Sequence, residues 1–162
     1  MSRRWLIGNA LWLQAGWWVC VLGAHEPSLL VIVPIGLALH LGCCQDRKGE
    51  VRALVLVSIM GCLLDSLLGV LGVFNFAQWP LPLWLALMWL VLASGLRHSL
   101  AWAARPIWLG GLLGMVAGPL AYLAGARLAG VELPMGSSTT AFLLAPLWAV
   151  FFPLTLHVAL RR

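Results

Sequence analysis

The residue types in this chain that can do chemistry reduce to one acid in an apolar run and a few imidazoles and thiols. Asp65 stands inside Ser58-Ile59-Met60-Gly61-Cys62-Leu63-Leu64-Asp65-Ser66-Leu67-Leu68-Gly69-Val70-Leu71-Gly72. A carboxylate in a bilayer costs about 2.5–3.5 kcal/mol on insertion scales, so it requires a partner, a water-filled cavity or a proton. Gly61, Asp65 and Gly69 recur every four residues, with Ser58 and Gly72 near the same face. On a helix they form a stripe that lets a neighbour approach closely and hides the acid from lipid. Two readings stand side by side: Asp65 lines an outward-facing pocket that binds a polar group or carries a proton, or it is a structural carboxyl bonded to neighbouring helices.

The thiols are Cys20, Cys43, Cys44 and Cys62, and no disulfide framework follows from their spacing. His40, Cys43 and Cys44 fall at i, i+3 and i+4, which places three soft ligands on one helix face. The set has no fourth ligand and not the paired spacing of zinc motifs, so its expected role is packing, with a metal site as the alternative. His40, His98 and His157 all fall near one interface, where imidazoles can exchange protons. No Gly-x-Ser-x-Gly, His-rich box or acidic cluster occurs, so the residues of known intramembrane enzymes are missing.

Positioning these groups falls to helices that cross a membrane. Of 162 residues, 62% are hydrophobic and 9% charged, and mean hydropathy is +0.98, whereas roughly a quarter of a soluble domain is charged. The composition excludes a soluble globular domain, a nucleic-acid partner and a Rossmann or P-loop site. Apolar runs predict six spans at 5–23, 29–44, 53–74, 82–96, 107–126 and 139–160, the second and fourth being short. The N-terminal run, which contains Asn9 and Gln14, is longer than a signal-peptide core and is read as a span.

Arg3, Arg4, Arg47, Lys48, Arg52, Arg97, Arg105, Arg161 and Arg162 lie on one side of this arrangement, and only Arg127 on the other. That bias predicts cytoplasmic termini and explains the net charge of +5 as an orientation signal. Trp5, Trp79, Trp84, Trp102 and Trp108 lie at span ends, as interfacial belts require, while Trp12, Trp17, Trp18, Trp89 and Trp148 lie deeper and face lipid or pack.

At 1.5 Å per residue, Asp65 falls about 20 Å from the cytoplasmic edge, Tyr122 about 22 Å and Gln14 about 15 Å, whereas His40 and His157 are only about 6 Å in. Gln14 and Tyr122 are therefore the expected partners of Asp65, with Arg127 within reach from the outer interface. Gly110, Gly114 and Gly118 make a second stripe on the fifth span, predicting close packing of the third and fifth. Pro34, Pro119, Pro146 and Pro153 fall within spans, where each can kink its helix.

Several strings carry a family resemblance: Asn9-Ala10-Leu11-Trp12-Leu13-Gln14-Ala15-Gly16-Trp17 leading to Cys20, Gly61 with Asp65, Leu83-Trp84-Leu85-Ala86-Leu87-Met88-Trp89-Leu90, Leu96-Arg97-His98-Ser99-Leu100-Ala101-Trp102, and Gly118-Pro119-Leu120-Ala121-Tyr122. Through them nearly the whole chain resembles the bacterial inner-membrane family known as domain of unknown function 2878. The resemblance implies no defined activity and no catalytic residue; it implies a loose permease association and genes near those for fatty-acid modification. Gly61-x-x-x-Asp65-x-x-x-Gly69 is also distantly similar to the substrate-capture subunits of energy-coupling-factor transporters and to the small rod-shape membrane protein.

The expectation is thus an all-α, six-span domain over 1–162 in the bacterial inner membrane, without a cofactor, surrounded by lipid and associated with a larger complex or a second copy. Its expected function is that of a non-enzymatic, permease-like or ligand-binding subunit with a polar pocket of Asp65, Gln14, Tyr122 and Arg127. The alternatives are a lipid- or fatty-acid-modifying enzyme, or its accessory, acting through His40, His98 or His157, and a structural scaffold resting on Gly61, Gly69, Gly114 and Gly118.

Overall fold

In the computed structural model, which describes residues 2–161, Ser2 starts helix α1, Arg3–Leu22, by accepting from the Trp5 amide. A 3-10 turn, Pro27–Val31, opened by proline, runs directly into α2, Ile32–Cys43. Helix α3, Arg47–Val70, starts six residues before the expected span because Asp46 caps it: its carboxylate accepts from the Gly49 amide at 3.0 Å. Gly72, at φ 74°, makes the turn after α3, a conformation that a Cβ disfavours. Helix α4, Leu83–Leu96, follows a loop, and a second 3-10 turn, Ala101–Ala104, precedes α5, Ile107–Ala129. Helix α6, Ser137–Leu160, completes an all-helical bundle, and both it and α5 continue through their internal prolines.

Helices α1, α3, α5 and α6 are long and apolar enough to cross a membrane; α2 and α4, at 12 and 14 residues, are apolar but shorter. The outward faces carry large apolar side chains, among them Leu11, Leu39, Leu63, Val116, Phe142 and Val150. Such surfaces suit lipid, because between apolar helices and apolar tails there is no hydrophobic penalty to remove.

Glycines set the internal packing, though not between the helices their stripes suggested. Gly114 and Gly118 of α5 lie against Trp148 of α6, so these two helices run closely side by side. Gly61 of α3 is instead covered by the Trp89 ring of α4, and Gly69 by Phe76. The expected pairing of the third and fifth spans is therefore replaced by α3 on α4 and α5 on α6: the recess at Gly61 receives the Trp89 ring, while Gly110 and Gly114 admit the backbone carbonyls of Ala103 and Trp148 and Gly118 the Trp148 ring. Gly72 serves its turn and meets no neighbour.

The two ends of the bundle are joined differently. At the end bearing the chain termini, Arg97 pairs with Asp46 at 2.7 Å and donates to the Ala159 carbonyl at 3.1 Å, tying the α4 end to the α3 start and the α6 end. The cationic flanks of α1, α3, α5 and α6 gather here; Arg162 lies outside the described residues. At the opposite end an isolated bridge joins Asn75 to Glu132, reinforced by Asn75 Nδ2 donating to the Glu132 carboxylate at 2.8 Å.

Candidate functional site

Asp65 is fully buried on the inward face of α3, and both of its oxygens are taken. Trp89 Nε1 of α4 donates to Oδ2 at 2.7 Å, and the Tyr122 hydroxyl of α5 donates to Oδ1 at 2.5 Å. The depth count thus identified Tyr122 correctly as a partner. Gln14 and Arg127 are exposed elsewhere and make no contact with the acid, while Trp89, expected among the lipid-facing or packing tryptophans, supplies the second donor. The signal for Trp89 was Gly61, one turn before Asp65, which leaves room for the indole to lie flat on the helix.

The rings bound to Asp65 belong to a continuous aromatic wall. Trp89 stacks on Trp148 at 5.8 Å, Tyr122 meets Trp148 edge-on at 5.7 Å and stacks on Phe74 at 5.4 Å, and Phe74 stacks on Phe76 at 5.6 Å. Offset stacks and edge contacts at these separations are the favoured arrangements of aromatic quadrupoles. The wall encloses a cavity of about 250 Å³ between α4 and α5, closed on the α1 side by Trp17. Ala117 and Ala121 line it yet are exposed, so it opens on the flank of α5. Its lining is almost wholly carbon, with Asp65 behind the wall, so the space is suited to an apolar guest and not to the polar group expected from sequence.

A second constellation lies at the terminal end, about where the depth count placed His40. Glu50, in the first turn of α3 and 1% exposed, receives three cationic or donor groups. His40 Nε2 of α2 lies 2.8 Å from Oε1, His98 Nε2 lies 3.2 Å from Oε2, and Arg97 Nε lies 3.2 Å from Oε2. Cys44 Sγ completes the group, 3.6 Å from His40 Nε2 and 3.7 Å from His98 Nε2. The Trp5 indole covers it, stacked on His40 at 5.8 Å, and its Nε1 donates to His98 Nδ1 at 3.2 Å. Beside this group, Asp46 is exposed, and the Gly49 amide, then Arg97, hold its carboxyl below the usual carboxylate range.

Of the three soft ligands seen in sequence, His40 and Cys44 point into this group and Cys43 is exposed outside it. Glu50 and His98 were not associated with them, because they arrive from a helix start and a post-helix turn that only tertiary packing brings together. His157 stands apart, exposed and bonded to Arg161.

No curated protein and no solved structure matches the chain. One family does, described as a protein of unknown function, DUF2878, and the match runs over residues 6–154. Asp65, Trp89, Tyr122, His40, Cys44, Glu50 and His98 all fall within that span, and the chain belongs to this family.

Proposed function

We propose that this chain is a six-span membrane protein that binds the apolar tail of a lipid in the cavity between α4 and α5, with Asp65 holding the aromatic wall in place. The observation that carries the reading is the lateral opening at Ala117 and Ala121 into a space of about 250 Å³ walled by aromatic rings. An engineered apolar cavity of roughly 150 Å³ already takes benzene, so this one has room for a length of hydrocarbon chain. Its mouth lies midway along α5, at the depth where acyl tails lie. The short α2 and α4 complete six crossings, α2 with the help of the preceding 3-10 turn.

In this reading the termini face the cytoplasm of a bacterial cell, supported by the basic residues gathered at the terminal end. The role is that of a ligand-holding, permease-like subunit rather than an enzyme, a reading supported by the engagement of Asp65 with Trp89 and Tyr122, which leaves neither the carboxylate nor the phenol free to act in the cavity.

The test is mass spectrometry of lipid retained by protein purified in mild detergent, compared with Ala121→Trp, which fills the mouth from an exposed position. A stoichiometric lipid on the parent protein that is lost from the variant supports the reading. Equal retention by both refutes it.

A further inference from the structure

We propose that His40, Cys44, Glu50 and His98 bind one divalent transition-metal ion of the borderline-soft zinc class, in a tetrahedral N2SO site at the terminal end of the bundle. The four side chains come from α2, its C-terminal cap, the first turn of α3 and the turn after α4, and their ligand atoms all lie within 4.8 Å of one another. Zinc–nitrogen, zinc–oxygen and zinc–sulfur bond lengths give a tetrahedron with edges of about 3.3 Å between N and O and about 3.6 Å between N and S. The sulfur edges found are 3.6 and 3.7 Å; the carboxylate meets His40 Nε2 through Oε1 at 2.8 Å and His98 Nε2 through Oε2 at 3.2 Å, so a single ligating oxygen stands close to both imidazoles, within 4.8 Å of every other ligand atom. A small turn of the Glu50 carboxylate, which sets one oxygen opposite both imidazoles and slightly farther from His40, therefore accommodates an ion.

Charge and surroundings agree with this. A thiolate and a carboxylate supply two negative charges against the two positive charges of the ion, and the neutral imidazoles supply none, so a buried site is left balanced. Arg97, against Glu50 Oε2 and tied to Asp46 and the Ala159 carbonyl, fixes the carboxylate from outside, as partners of metal ligands commonly do. The Trp5 indole, stacked on His40, screens the group from water.

Proton balance makes one further demand. Binding releases the Cys44 thiol proton to solvent and requires both Nε2 atoms to be bare. Trp5 Nε1 donates to His98 Nδ1, which places the His98 proton on Nε2, and a metal at Nε2 shifts that proton to Nδ1, where it faces the indole N–H. The Trp5 N–H must then turn from His98 while the ring stays over His40. Trp5→Phe keeps a ring over His40 and removes the conflict, so it tightens metal binding, by roughly tenfold.

The experiment is titration of the full-length protein, purified in detergent and stripped with chelator, with Co²⁺ as the spectroscopic probe. The expected result is one equivalent with the intense visible bands of tetrahedral cobalt and a thiolate charge-transfer band, displaced by Zn²⁺. Cys44→Ser abolishes the charge-transfer band, His98→Gln weakens binding tenfold or more, and Cys43→Ser changes neither. Each variant is checked for a monodisperse elution profile, and the near-isosteric Cys44→Ser and the peripheral Trp5→Phe keep the test open if His98→Gln does not fold. Octahedral spectra, no saturable binding, or a charge-transfer band that follows Cys43 overturns the proposal. Loss of lipid retention with the cobalt spectra intact leaves it standing, since the two sites share no residue.

Discussion

Trp89 is held at once by its edge and by its face: its Nε1 donates to Asp65 Oδ2 at 2.7 Å, and its ring covers Gly61, one turn earlier on the same helix. The carboxylate therefore acts on the cavity indirectly, by fixing which way the indole faces. Asp65→Asn keeps an oxygen for one donor but turns an NH2 toward the other. We expect a loss of about 1–2 kcal/mol, visible as a lower Tm in detergent, with lipid retention falling in step because the wall loosens. An unchanged Tm with full retention contradicts this role.

Gly61→Ala tests the same ring from its other side. A Cβ there overlaps the Trp89 indole, which cannot retreat without leaving Asp65. Overpacking of this kind costs about 1–3 kcal/mol. Gly125→Ala, in the same membrane setting but with nothing within 4 Å of the added methyl, is expected to be neutral or slightly stabilising. Thermal melts of the two variants side by side give the comparison.

Glu50→Ala removes the single acceptor shared by His40, His98 and Arg97. Breaking a buried ion pair on one side costs about 3–5 kcal/mol, and Arg97 keeps Asp46 and the Ala159 carbonyl, so the lower end of that range is expected. Glu50→Gln, which retains an acceptor oxygen, loses less. Tm and yield of folded protein distinguish the pair.

Asp46 is one group through which acid acts at this end. Its carboxyl is held below the ordinary range in the fold, so its contribution to stability is complete above that range and is lost as pH falls through the depressed value. Asp46→Asn lowers Tm on the neutral side of a plot of Tm against pH and makes the acid limb shallower, so that the two proteins converge at low pH. A parallel acid limb in the variant assigns the acid sensitivity to other groups.

Sidedness is read from Cys43, which is exposed while Cys20 and Cys44 are buried. A membrane-impermeant thiol reagent is expected to label Cys43 only after cells are opened, and not in Cys43→Ser. Labelling of intact cells reverses the orientation.

Asp65 and Tyr122 could be paired from sequence because the rise of a helix converts residue number into depth, and depth alone brings those two groups level. Trp89 could not, since a tryptophan in an apolar run reads equally as lipid-facing, and only the recess at Gly61 marks it as buried. Helix positions followed from hydropathy, but the start of α3 did not: the charges of Arg47, Lys48 and Glu50 read as loop, whereas the Asp46 cap makes them helix. His40 and Cys44 shared a visible face. Glu50 and His98 joined them through the meeting of α2, α3 and α4, which no local spacing encodes. The glycine stripes announced close approach without saying what approaches, whether a ring, as Trp89 at Gly61, or a backbone carbonyl, as that of Trp148 at Gly114.

The unequal fastening of the two ends gives the bundle the mechanics of a clothes-peg. Arg97 and Glu50 gather three helix ends and a turn into one ionic clasp, while the far end has no ion pair among the described residues and is held by Asn75 on Glu132, His25 on the Leu128 carbonyl and the apolar packing of Leu30, Trp84 and Leu85. Thermal breathing is then expected to pivot about the clasp and to spread the loops that flank the cavity, which carry Phe74 and Phe76. A guest entering between α4 and α5 works against the end without ion pairs, and amide exchange is expected to be faster there than at the clasp.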